Sequence, residues 1–148
     1  MLVFILLRFF AANTEDMDLD KLNDDFAKIA EMVNELDSMD YSDEKYDDVE
    51  EELHDLEDTL MEEFGDYLED AIQGVYDNLC PDNDVLIPTA YIAKHYSKKQ
   101  KDALGRYSYD VNYGEGIPIE SDKFGDQEVY LSLVPGGTRM VVTVGEAT

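Results

Sequence analysis

Residues 19–36, LDKLNDDFAKIAEMVNEL, decide how the chain folds. Their apolar members Leu19, Leu22, Phe26, Ile29, Val33 and Leu36 are spaced 3, 4, 3, 4, 3, which places them on one side of an α-helix. The positions between them are mostly Asp, Glu, Asn and Lys. The spacing predicts a helix over residues 17–37. Residues 38–43, Ser-Met-Asp-Tyr-Ser-Asp, interrupt it as a loop, with Ser42 as the expected N-cap of the next helix. A second seam, Tyr46, Val49, Leu53, Leu56 and Leu60, repeats the spacing and predicts a helix over 44–64. The two helices, equal in length and joined by a short loop, read as an antiparallel hairpin.

Beyond Leu60 the apolar spacing slips, through Phe64, Leu68, Ile72, Val75 and Leu79. Gly65 sits at the slip, and Asp66 with Glu69 has the form of a capping box. Residues 66–79 therefore either continue the second helix with a kink or form a third, and Pro81 stops it. Upstream, residues 1–12 are apolar except for Arg8 and are too few to span a bilayer, which needs about 20. A retained strand or helix is the first reading of this segment. An upstream extension with Met17 as the start is the second, and a poor signal peptide the third.

Charge divides the chain as sharply as periodicity does. Its 148 residues carry 36 acidic and 11 basic side chains, net −25. Residues 1–80 hold net −22 and residues 81–148 only −3. The expected organisation is thus an apolar segment 1–16, an acidic helical region 17–80 and a small α+β region 81–148. Hydrophobic content of 44% is too high for a disordered acidic tail, so the acid is displayed on folded structure. A salt-adapted surface would spread acid evenly and suppress lysine, whereas Lys94, Lys98, Lys99 and Lys101 are grouped.

The second half changes character. Ser97 with Gln100 has a capping-box form and Gly105 is a good stop, so a short helix is expected over 98–104. Tyr107, Tyr109, Val111 and Tyr113 alternate as a half-buried strand. Val129–Val134 and Met140–Val144, joined through Pro135-Gly136-Gly137, read as a hairpin. The fold class expected is α+β: an acidic helical hairpin or three-helix unit, then a small antiparallel sheet with one short helix.

Few assemblies of catalytic or ligand-binding residues are present. Cys80 is the single cysteine, which excludes an intramolecular disulfide and a cysteine zinc site. His54 lies among carboxylates without a second His four residues away, so it reads as solvated. Asp82-Asn83-Asp84 begins like a calcium loop, but Val85-Leu86-Ile87-Pro88 replaces the ligands it needs. There is no phosphate-binding glycine loop and no nucleophile elbow. No cofactor and no metal are expected. His95 with Tyr96 or a nearby lysine is the one arrangement that offers acid–base chemistry, and no nucleophile accompanies it.

What remains is the acid. Such charge repels nucleic acid and acidic lipid and steers basic surfaces inward. The composition is similar to that of immunity proteins that neutralise toxins, of phage anti-restriction and anti-CRISPR proteins and of acidic secretion chaperones, although no motif assigns the chain to any of them. The function expected is that of a non-enzymatic acidic binding protein, cytoplasmic, that blocks a basic surface of a partner. A nuclease's nucleic-acid channel or a toxin's active site would serve, with no direct nucleic-acid or membrane contact. Its contact residues would be Asp47, Asp48, Glu51, Glu52, Asp55, Asp58, Glu62 and Glu63. The alternatives are an assembly protein whose seams pair with helices of another chain, as an oligomer, and an enzyme of the β-rich half.

Overall fold

The computed structural model describes residues 3–7, 18–101, 103, 105, 107–135 and 138–145. Met17 and the expected turn residues Gly136 and Gly137 lie outside the described residues. Strand β1 (Val3–Leu7) precedes helices α1 (Leu19–Asp37) and α2 (Tyr46–Leu79). Then come β2 (Ser97–Lys101), β3 (Tyr107–Asp110), β4 (Ile117–Ile119), β5 (Glu128–Val134) and β6 (Arg139–Gly145). The protein is mixed α+β. One antiparallel sheet has the order β1-β6-β5-β4, and β2 pairs with β3 in a separate two-stranded ribbon.

Helix α1 forms where its apolar period indicates. Asp18 caps it, accepting the Lys21 N–H at 2.9 Å, and Ser38 closes it, its hydroxyl donating to the Glu35 carbonyl at 2.7 Å. Leu22, Phe26, Ile29 and Val33 are buried. Helix α2 does not use Ser42. Asp43 supports its start instead, its carboxylate accepting the Lys45 N–H at 2.9 Å.

Helix α2 runs unbroken for 34 residues, with Gly65 buried inside it. The slip after Leu60 therefore marks a change of packing partner, not a helix end. Up to Glu63, whose carboxylate meets Lys21 of α1 at 2.6 Å, α2 lies beside α1. Beyond it, α2 packs against a 3-10 turn at Pro88–Tyr91, where the Tyr76 and Tyr91 hydroxyls are hydrogen-bonded at 2.6 Å. The buried positions Leu68, Ile72 and Val75 lie along this second stretch, while Phe64, 5.6 Å beneath the Lys21 ammonium, still faces α1.

Strands β5 and β6 form the expected hairpin and lie at the centre of the sheet. On one face Val129, Leu131, Leu133, Met140, Val142 and Val144 are at most 2% exposed. On the other, Ser132 and Thr143 are fully buried beneath residues 113–116. There Ser132 donates to the Glu115 carbonyl at 2.6 Å, and the Tyr113 and Tyr130 rings meet edge-on at 5.4 Å. Two glycines permit this crossing. Gly116 has φ +89°, and a Cβ there would overlap the Leu131 carbonyl. A Cβ on Gly145 would overlap the Tyr113 ring.

The short helix expected over 98–104 does not form. Ser97–Lys101 is strand β2 instead, and the short helical elements are 3-10 turns at Pro88–Tyr91 and Asp122–Phe124. The capping-box form is a local signal, and tertiary pairing outweighs it. Lys98 lies opposite Tyr109 in the ribbon and its ammonium reaches Glu31 of α1 at 2.7 Å. Gly105, at φ +79°, lies between the two strands. The tyrosine alternation is likewise cut short, because β3 ends at Asp110. Tyr109 is buried, Tyr107 is 39% exposed and Tyr113 is half-buried in the crossing.

The charge boundary at Cys80 is not a packing boundary. Residues from α1, α2 and the sheet belong to one core. Asn34 of α1 brackets the Tyr96 backbone, donating to its carbonyl at 2.9 Å and accepting its N–H at 2.8 Å. Asn83 brackets Glu120 in the same way, at 3.0 and 3.1 Å. Arg139 of β6 donates to the Tyr109 carbonyl at 2.6 Å, so the ribbon is tied to the sheet as well as to α1.

Candidate docking surface

Helix α2 contains fourteen Asp and Glu residues and no Lys or Arg. One seam of the helix is apolar and buried, so the acids are forced onto the remainder. Asp47, Glu51, Asp55, Asp58, Glu62, Asp66 and Glu69 are spaced 4, 4, 3, 4, 4, 3, an acidic counterpart of the apolar seam. All eight residues singled out from the sequence, Asp47, Asp48, Glu51, Glu52, Asp55, Asp58, Glu62 and Glu63, are exposed on this helix. Because α2 is continuous, Asp66, Glu69, Asp70 and Asp77 extend the same surface. The sequence leaves residues 66–79 open between a kinked continuation and a third helix, and that ambiguity concealed this extension. The unbroken 4, 4, 3 spacing of the acids across Gly65 was the signal for it.

Of the eight, Glu63 alone has a cationic partner among the described residues. Lys21 binds Asp25 at 2.8 Å and Glu63 at 2.6 Å, and those two carboxylates push its ammonium up to about 12. His54 sits 3.9 Å from Glu57 at the margin of the surface. Glu57 itself is half-buried, and burial raises its carboxyl above the usual range.

From Asp47 to Asp77 the helix rises about 45 Å at ~1.5 Å per residue. Its twelve exposed carboxylates thus present one charge per ~4 Å, against ~3.4 Å for one strand of a nucleic-acid duplex. The surface matches a single phosphate strand in line density.

The other candidate arrangements take structural roles. The Tyr96 hydroxyl donates to the Leu133 carbonyl at 2.7 Å and accepts the Ala93 N–H at 2.9 Å, and burial drives its pKa far upward. The hydroxyl proton is held on the Leu133 carbonyl, and the neighbouring His95 ring lies 3.2 Å from the Asp37 carboxylate instead. Cys80 is buried and its thiol is pushed up by that burial. A pocket of about 330 Å³ opens beside it at the end of α2, lined by Asp77, Asp82, Glu120, Asp122 and Lys123. Among the described residues no group of three or more His, Cys, Asp or Glu is placed to hold a metal ion. No helix among them is long and apolar enough to cross a membrane. Comparison with protein-family models, with curated proteins and with solved structures finds no match to this chain.

Proposed function

We propose that the protein is a non-enzymatic, cytoplasmic binding protein whose acidic α2 surface docks on and blocks a basic surface of a partner protein. The partner's surface would be one that otherwise receives nucleic acid, as in a nuclease channel, or a toxin active site. The carrying observation is the run of twelve exposed carboxylates along one face of a single helix, with no Lys or Arg in that helix. Like charges at this density repel one another and weaken the fold, and a complementary cationic surface would relieve that repulsion. Such a contact is fast to form and sensitive to salt. The single buried cysteine calls for no oxidising compartment.

Assembly through the helical seams has less support. Leu22, Phe26, Leu53, Leu60 and Phe64 are already buried in the chain's own core, which leaves little seam for a second helix. The test is capture of partners from an extract of the native host, by the wild type and by a variant carrying Glu51→Lys, Asp55→Lys, Asp58→Lys and Glu62→Lys. A partner held at low salt, released at high salt and lost by the variant is the expected result. Equal retention by the variant would exclude α2 as the interface.

A further inference from the structure

The cations of this chain are as unevenly placed as its acids. Five of the eleven, Lys94, Lys98, Lys99, Lys101 and Arg106, fall within residues 94–106, against one acid, Asp102. On β2, Lys98, Lys99 and Lys101 are exposed. The ammonium groups of Lys98 and Lys101 lie 3.9 and 4.9 Å from the centre of the Tyr107 ring, which holds them together on one side of the ribbon. This ribbon already grips one helix carboxylate. Glu31 of α1 accepts hydrogen bonds from Lys98 and from the Tyr109 hydroxyl, each at 2.7 Å. No carboxylate among the described residues pairs with Lys99 or Lys101.

We infer that the β2–β3 ribbon is a docking surface for the acidic face of α2 in a second copy of this chain. The charges are complementary: the exposed Lys98, Lys99 and Lys101 of β2 meet a helix face with no Lys or Arg. The chemistry is the one the ribbon displays internally, lysine on a helix carboxylate with tyrosine beside it. At about 0.15 M salt the screening length is ~8 Å, so repulsion between the bulk of two chains fades while lysine–carboxylate contacts persist. A duplex is a poorer occupant. It carries one charge per ~1.7 Å and would approach the chain's own acidic helices. Ribbon and helix are different surfaces, so the contact is head-to-tail and leaves a free ribbon and a free helix at its ends.

The contact uses the same α2 face as the proposed function, with a different partner, and the two readings are separable. The experiment is sedimentation velocity at about 0.15 M salt over a concentration series. A ribbon variant carries Lys99→Glu and Lys101→Glu. A helix variant carries Glu51→Gln, Asp55→Asn, Asp58→Asn and Glu62→Gln. All the substituted side chains are exposed, and circular dichroism checks that both variants fold. The wild type is expected to associate with rising concentration, and each variant alone to do so at least about tenfold more weakly. An equimolar mixture of the two restores one intact ribbon facing one intact helix, and is expected to form a 1:1 heterodimer that grows no further. A wild type that stays monomeric, variants that associate like it, or a mixture no better than its parts would each overturn the inference. So would a wild type that binds a single-stranded oligonucleotide through the ribbon without self-associating. Poly-lysine, which the ribbon repels, serves as a probe of the acidic helices, and the helix variant isolates the share that α2 carries. The ribbon variant is expected to bind it as the wild type does, and if the helix variant also bound it unchanged, the proposed function would fail while the mixing result stood.

Discussion

The outer face of α2 and the β5–β6 hairpin are built on opposite terms. The helix buries one seam and leaves twelve carboxylates in water, with only Glu63 fixed by an ion pair among the described residues. The hairpin is covered on both faces, and its polar side chains Ser132 and Thr143 are buried against a crossing loop. A surface of the first kind is free to vary in detail so long as its charge remains. A core of the second kind depends on close fit, and a single added methyl group discriminates between the two.

The largest effect is expected at Gly116→Ala. The new Cβ would meet backbone at the Leu131 carbonyl, in a conformation that side chains rarely adopt, at a cost of about 3 kcal/mol. Urea unfolding measures it, and a loss below about 1 kcal/mol would mean that the crossing over β5 is loose. The same change on α2 has the opposite sign. Gly74 is exposed within the helix with no neighbour within 4 Å of a new Cβ, so Gly74→Ala is expected to stabilise by about 1 kcal/mol. If Gly74→Ala destabilised instead, the terminal part of α2 would not be a regular helix.

A smaller effect lies outside both regions, where α1 meets the β2–β3 ribbon. The Lys98 and Tyr109 hydrogen bonds hold the Glu31 carboxyl below the usual range. A lowered folded value means that this anchor is fully present above the unfolded glutamate pKa of about 4.3 and is lost as pH falls through the folded value. Protection of the β2 and β3 amides, taken relative to the intrinsic exchange rate at each pH, is therefore expected to fall on acidification, and Glu31→Gln to remove that dependence. Protection that stays independent of pH in the wild type would show that the ribbon is held by Asn34 and Arg139 alone.

Legibility followed the range of the interactions involved. The α1 seam and the β5–β6 pair were readable because their signals lie within a few residues of each other. The eight acids were readable as exposed because a helix with one apolar seam has nowhere else to place them. The remaining acids of the surface were hidden by Gly65, a residue that signals a break and here costs about 1 kcal/mol that packing on both sides outweighs. Strand β2 was unreadable for a related reason. Its lysines favour no strand locally, and their partners Glu31, Tyr107 and Tyr109 lie elsewhere in the chain.

By itself the sequence determined two apolar seams, the acid that must lie opposite them and the hairpin near the end, since period and charge are local properties. Only the tertiary structure decided that α2 is one helix spanning two packing partners. It also decided that the lysine segment is a strand against α1, and that the acidic and near-neutral halves share a core. Those outcomes depend on which distant surfaces meet, and burial and ion pairing between them exceed the local preferences they override.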